Sequence, residues 1–314
     1  MPVVVSIVIP THDRPALLRR AIISALNQTV RDIEVIVVDD GSDPPVALAG
    51  RDSRVRLIRN AQSVGVCAAR NVGLEAAVGD YVTFLDDDDE LAPLMVAENL
   101  NVIQGSRLPA PIAAMGAVEV RDPNDQLVSR HVNPPSPKGR PYHLALADDL
   151  GSGAVSTAAY NALLMPTQLL KEIGGFDPNL RSWEHDDLIL RLNAVCSIES
   201  LDDLSVVKHD HRGVRRHQDH LDVARAIEAT WIKHRRLLRG YPQKEAKYLS
   251  TAGTAYLQAG KWGDAVRMTS RGLRTRPNRH TAERFAAAVL GPHLSRGLAA
   301  VRRLWRDRVP RRGT

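Results

Sequence analysis

The hydrophobic positions change period along the chain. Val3–Ile9 is a continuous, largely β-branched run closed by Pro10, the pattern of a strand covered on both faces. From Pro15 the apolar residues Leu17, Leu18, Ala21, Ile22, Ala25 and Leu26 fall three and four apart. That spacing predicts an amphipathic helix with Pro15 in its first turn and Asp13 as its cap. Ile33–Val38 and Arg54–Ile58 read as strands, Val64–Val78 as a helix, and Tyr81–Leu85 as a strand running into four aspartates. Such alternation predicts an α/β fold with a mostly parallel sheet and right-handed crossovers. Ligands of these sheets collect beyond the carboxyl ends of the strands, where the acidic runs Asp39-Asp40 and Asp86–Asp89 stand.

The pattern then weakens. Residues 105–155 are rich in Pro, Gly and Asp, with a faint strand signal at Ala113–Val120. Helical spacing returns over 166–196, on either side of Gly174-Gly175-Phe176-Asp177, and dominates from about Leu221 onward. Within it, Lys244–Pro277 is spaced like one tetratricopeptide-type hairpin. The expected division is a ligand-binding half over 1–104, a second half over 105–220 and a helical extension over 221–314.

Charge sharpens that division. Residues 1–207 hold 17 basic and 28 acidic residues, a net of −11, whereas 208–314 hold 25 and 8, a net of +17. Two distant cysteines, Cys67 and Cys196, suit a reducing compartment and exclude a thiolate metal site. No apolar run reaches the roughly 20 residues that span a bilayer, and the N-terminal run lacks the basic segment of a signal peptide. The expectation is a cytoplasmic protein. Over 293–312, Leu294, Leu298, Val301 and Trp305 share a helical face among arginines. This segment either contacts anionic lipid at the inner face of the membrane or packs on its own protein. With 4% aromatic residues and no recognition motif, nucleic acid is not an expected partner.

Four adjacent carboxylates repel one another unless a cation neutralises them. On an extended segment Asp86 and Asp88 point the same way and can share one Mg²⁺ or Mn²⁺; the alternative is a solvated turn. Asp39 and Asp40 can accept hydrogen bonds from a base or ribose, and Arg70 can offer its fork to phosphate. A plain turn and a surface salt bridge are the alternatives. The Gly-x-Gly-x-x-Gly of a dinucleotide oxidoreductase does not follow the first strand. Nor is Pro10–Pro15 the Gly-rich loop of a nucleotidyltransferase.

Ser6–Thr11, Val37–Ser42, Ala69-Arg70-Asn71-x-Gly73, Gly79-Asp80-Tyr81, Phe84–Asp89 and Gly174–Asp177 occur in the order and spacing of one family. Together with Leu190-Arg191-Leu192, the chain over 3–212 resembles the family 2 glycosyltransferases of the GT-A fold. The resemblance implies a hexosyltransferase acting in cell-envelope or other glycan synthesis. It would move a sugar with inversion from a nucleotide-diphosphate sugar, UDP-linked by preference, to a glycan or lipid-linked acceptor. It places Thr11, Asp13, Asp39, Asp40, Arg70 and Asp87 around the donor. Asp86 and Asp88, with His209 nearby, would hold the metal. The family's base lies in a Glu-Asp-x-Asp stretch, but here the stretch is Glu184-His185-Asp186-Asp187, with His185 where the family has aspartate. All four are candidates, Asp186 and Asp187 foremost. The same departure supports the rival expectation, a non-catalytic scaffold that binds partners through its helical C-terminus.

Overall fold

The computed structural model describes residues 3–48, 50, 52–139, 162–210 and 219–291. Its contacts divide the chain into two compact units, Met1–Arg216 and His217–Thr314.

In the first unit, β1 (Val5–Thr11) lies between β2 (Ile33–Asp39) and β4 (Tyr81–Phe84), with β3 (Val55–Arg59) outside β2, all parallel. Every residue of β1 and β2 is buried, which explains continuous apolar runs in place of alternation. Helices α1 (Pro15–Leu26) and α2 (Val66–Ala76) supply crossovers. Gly73 lets α2 approach the sheet closely, because a methyl there would overlap Val8 and lie 3.2 Å from Val38. Asp13 does not cap α1. It sits in the left-handed region at φ 56° before an uncapped first turn, and its carboxylate accepts the Asp43 N–H at 2.9 Å instead.

Beyond β4 the sheet becomes mixed. β8 (Leu163–Pro166) runs antiparallel to β4 and to β6 (Ile112–Arg121). β9 (Ser197–His209) runs parallel to β6, and the two-residue β5 (Glu90–Leu91) pairs antiparallel with β9. β7 (Leu127–His131) hangs off β6, completing nine strands among the described residues. This half also carries α3 (Met95–Gly105), α4 (Thr167–Glu172) and α5 (Glu184–Val195). α5 begins at Glu184, so the acidic cluster forms its first turn, where the helix dipole favours negative charge. Ile7, Ile9, Ile36, Leu74, Met115, Leu163 and Phe176 lie in one core with no more than 2% exposure.

The second unit contains α6 (His220–Leu238), α7 (Pro242–Gln258), α8 (Trp262–Thr275) and further helical residues over 279–291. The predicted hairpin is α7–α8. Gly253 brings α7 close to α8, as a methyl there would lie 3.1 Å from the Ala265 carbonyl. Glu228 ties all three helices, accepting from Tyr256 Oη at 2.7 Å and from Arg267 Nη1 at 2.6 Å. No helix among the described residues is long and apolar enough to cross a membrane. The 293–312 segment lies outside those residues.

Candidate active site

The chain leaves β4 at Phe84 and re-enters the sheet at β5, and Asp86–Asp89 spans the gap. It is a turn, closed by the Asp89 N–H on the Asp86 carbonyl at 3.1 Å, rather than the extended segment expected from alternation. The turn gathers Asp86, Asp88 and also Asp89, one carboxylate oxygen of each lying within 4.8 Å of the others. Asp87 is bound on the β1 side: its oxygens accept from Thr11 Oγ1 at 2.7 Å and Arg14 Nη1 at 3.2 Å. Burial outweighs these contacts and pushes the Asp87 pKa above the ordinary carboxylate range. Thr11 thereby holds the acidic turn in place.

The repulsion expected among the aspartates is met by cations of the same chain. Arg14 Nη1 lies 3.0 Å from Asp88, Arg70 Nη2 2.7 Å from Asp86, and Lys208 Nζ 3.0 Å from Asp89 and 3.6 Å from Asp86. Arg20 Nη2 donates to the Asp88 carbonyl at 2.6 Å. Repulsion alone therefore does not require a metal here. The oxygen-only donor set of Asp86, Asp88 and Asp89 nevertheless fits a hard divalent cation. Burial pushes the Asp86 pKa up, but Arg70 and Lys208 more than offset it and hold the carboxyl well below the usual range. At Asp89 burial wins, reinforced by Asp86 and Asp88, and its pKa is pushed up to about 7. His209, expected among the metal ligands, instead places Nε2 2.8 Å from Glu90. Both line a cavity of about 530 Å³ with Arg19, Arg20 and Arg121. From β9, the side chain that reaches the carboxylates is Lys208, while the His209 main-chain N–H donates to Asp89 Oδ1 at 3.3 Å.

At the end of β2 the carboxylates are absorbed by loops. Asp39 accepts from the Ser42 and Val46 N–H groups and from Arg59 Nη1 at 2.6 Å. Asp40 accepts from Asn60 Nδ2, Ser63 Oγ and the Val64 and Gly65 N–H groups at 2.8–2.9 Å. Together they fix the loop after β2 and the approach to α2. His12, absent from the residues singled out in the sequence, reaches the Asp40 carbonyl with Nδ1 at 2.8 Å. Asp13 is half exposed beside it, its carboxylate 3.3 Å from His12 Nε2.

Arg70 links this end of the sheet to α5. Its guanidinium is buried, 5.0 Å from the centre of the Phe176 ring, and bridges Asp86 to Glu184 Oε1 at 3.0 Å. Burial pushes the Glu184 pKa up, while His185 and Arg70 more than reverse it and hold the carboxyl well below its ordinary range. The His185 ring stands edge-on to Phe176 at 5.7 Å, with Nδ1 3.4 Å from Glu184. Asp187 is fully buried, and Arg191 holds its Oδ2 through Nε at 2.9 Å and Nη2 at 2.7 Å. Arg191 also donates to the Ile173 and Gly175 carbonyls, so this pair locks the glycine turn onto α5. Asp186 is buried nearby at 6% exposure.

Comparisons agree with this architecture. A fragment of S. aureus TarS solved with UDP-GlcNAc superposes with a TM-score of 0.61 at 15% identity, covering 87% of this chain and 82% of that one. That likeness shows the fold, a GT-A-type α/β domain with a helical C-terminal extension. The pre-mycofactocin glycosyltransferase of Mycobacterium tuberculosis is 31% identical over 66% of this chain and 43% of its own length. A Campylobacter jejuni enzyme, GalNAc(5)-diNAcBac-PP-undecaprenol beta-1,3-glucosyltransferase, is 41% identical over 27% of this chain and 30% of its own. The chain thus spans less than half the length of either relative. Residues 6–162, half of the chain, match the profile described as Glycosyl transferase family 2. The chain belongs to that family.

Proposed function

We propose that the protein transfers a sugar from a nucleotide-diphosphate sugar, UDP-linked by preference, to a hydroxyl of a glycan or lipid-linked acceptor, with inversion. The observation that carries this reading is the Asp86–Arg70–Glu184 bridge, which holds the acidic turn and the start of α5 on one site. A divalent cation, Mg²⁺ or Mn²⁺, held by Asp86 and Asp88 with Asp89 beside them, would offset the charge on the departing diphosphate. The acceptor oxygen forms its bond to the anomeric carbon as the bond to the diphosphate breaks. A base takes the hydroxyl proton.

For that base we favour His185. Asp187 is sealed against Arg191, and Glu184 is held by Arg70, whereas the His185 ring stands against Phe176 with Nδ1 3.4 Å from Glu184, at the α5 end of the Arg70 bridge to Asp86. Imidazole exchanges protons near neutral pH. Asp39, Asp40 and Asp13 would shape the nucleotide pocket, the first two through the loops they hold.

Calorimetry with UDP, GDP and dTDP, with and without Mn²⁺, tests the donor site. One nucleotide should bind in a metal-dependent way, and Asp88→Asn, which spares the buried Arg70, should weaken it by about tenfold or more. A folded sample that binds no nucleotide with metal present would sink the transferase reading. His185→Gln should lower the rate of sugar release from the donor by about a hundredfold or more while leaving donor affinity unchanged. The anomer released reports inversion. Because His185 replaces the family's aspartate, a scaffold is the second reading; full donor binding with no turnover by the wild type would select it.

A further inference from the structure

Lys208 occupies the place in this site where a second cation matters most. It is the penultimate residue of β9, two positions beyond the buried Val206 and on the same face. Its ammonium is 3.0 Å from Asp89 and 3.6 Å from Asp86, two of the three residues whose oxygens converge. Asp88 is covered by Arg14 and Asp86 also by Arg70. The two arginines are differently anchored. Arg70 is buried and tied to Glu184, and Arg14 is shared with Asp87. Lys208 has a side chain 26% exposed and, among the described residues, ion pairs only within the cluster, on a flexible four-carbon stem.

We propose that Lys208 is an internal counter-ion that keeps the acidic turn closed to a free divalent cation and admits the cation together with a diphosphate. The ammonium and a divalent ion compete for the same oxygens of Asp86 and Asp89, and two cations at that separation repel strongly where water is partly excluded. Metal alone must displace Lys208 without giving it a new partner. A diphosphate brings the negative charge that a displaced ammonium can meet. Metal and nucleotide therefore bind as a coupled pair, each raising the affinity of the other by the same factor. The proposal rests on the reading of the acidic turn as the metal site.

The test is Mn²⁺ titration of the full chain, read by electron paramagnetic resonance of the free ion, with and without UDP. Wild type, Lys208→Gln, Lys208→Met and Lys208→Arg are compared, with circular dichroism as the check on folding. Without nucleotide, the Gln and Met variants should bind Mn²⁺ about tenfold or more tightly than wild type, and Arg should resemble wild type. The gain in Mn²⁺ affinity on adding UDP should shrink in the neutral variants. Equal or weaker Mn²⁺ binding by either folded neutral variant would overturn the gating role. Mn²⁺ uptake by none of the four proteins, even with UDP, would instead remove the metal-site reading and the gate with it.

Discussion

Two acidic runs end neighbouring parts of the same sheet, and they are built to opposite purposes. Asp39-Asp40 closes β2, and its oxygens take four main-chain N–H groups, at Ser42, Val46, Val64 and Gly65, and side chains of the adjoining loops, with Arg59 of β3 as a cationic partner of Asp39. Asp86–Asp89 follows β4, and its carboxylates meet long cationic side chains from Arg14 just before α1, from α2 and from β9, with one main-chain donor, the His209 N–H, on Asp89. Main-chain donors cannot leave without unfolding the loop, whereas an ammonium or guanidinium can exchange for another cation. Identical residue types thus become a scaffold in one place and an exchangeable site in the other, and the partner decides which.

Removing the scaffold carboxylate should have the largest effect on stability. Asp40→Ala leaves four donors without their acceptor and should cost about 3 kcal/mol in urea denaturation; a loss under about 1 kcal/mol would erase the contrast. Asp88→Asn should leave stability within about 1 kcal/mol of wild type, because its pairing with Arg14 is partly solvated, although it weakens metal-dependent nucleotide binding. The smallest effect is in acid. Burial pushes the Asp40 pKa up, but the Val64 N–H, Asn60, Ser63 and the Gly65 N–H outweigh it, so the folded value lies below the ordinary one. The stability it contributes is complete above about pH 4 and fades as pH falls through the lower folded value. Melting temperatures from pH 6 to pH 3 should fall less steeply in Asp40→Asn than in wild type.

The parallel half was legible because strands covered on both faces read as unbroken apolar runs, as β1 and β2 do. The mixed half hides its strands. β9 passes through Asp202-Asp203 and shifts register against β6 between Met115 and Val118, which breaks its alternation. β5 has only two residues, too few to show any period, and α3 and β8 also escaped the pattern. The acidic turn could be read as a motif. Its neutralisation could not, since Arg14, Arg70 and Lys208 come from three distant segments that only the fold assembles. The left-handed Asp13 shows a related limit: a residue fit to cap a helix was drawn into the neighbouring loop by Ser42 and Asp43.

Because Asp86–Asp89 lies on the covalent link between β4 and β5, its length is fixed as well as its composition. Glu90 and Leu91 pair with Val207 and Val206, and Leu91 is buried. One residue inserted into or deleted from the link would slip that pairing and turn Leu91 toward the opposite face. The length of the turn is thus guarded by a two-residue strand, independently of the carboxylates that the turn carries.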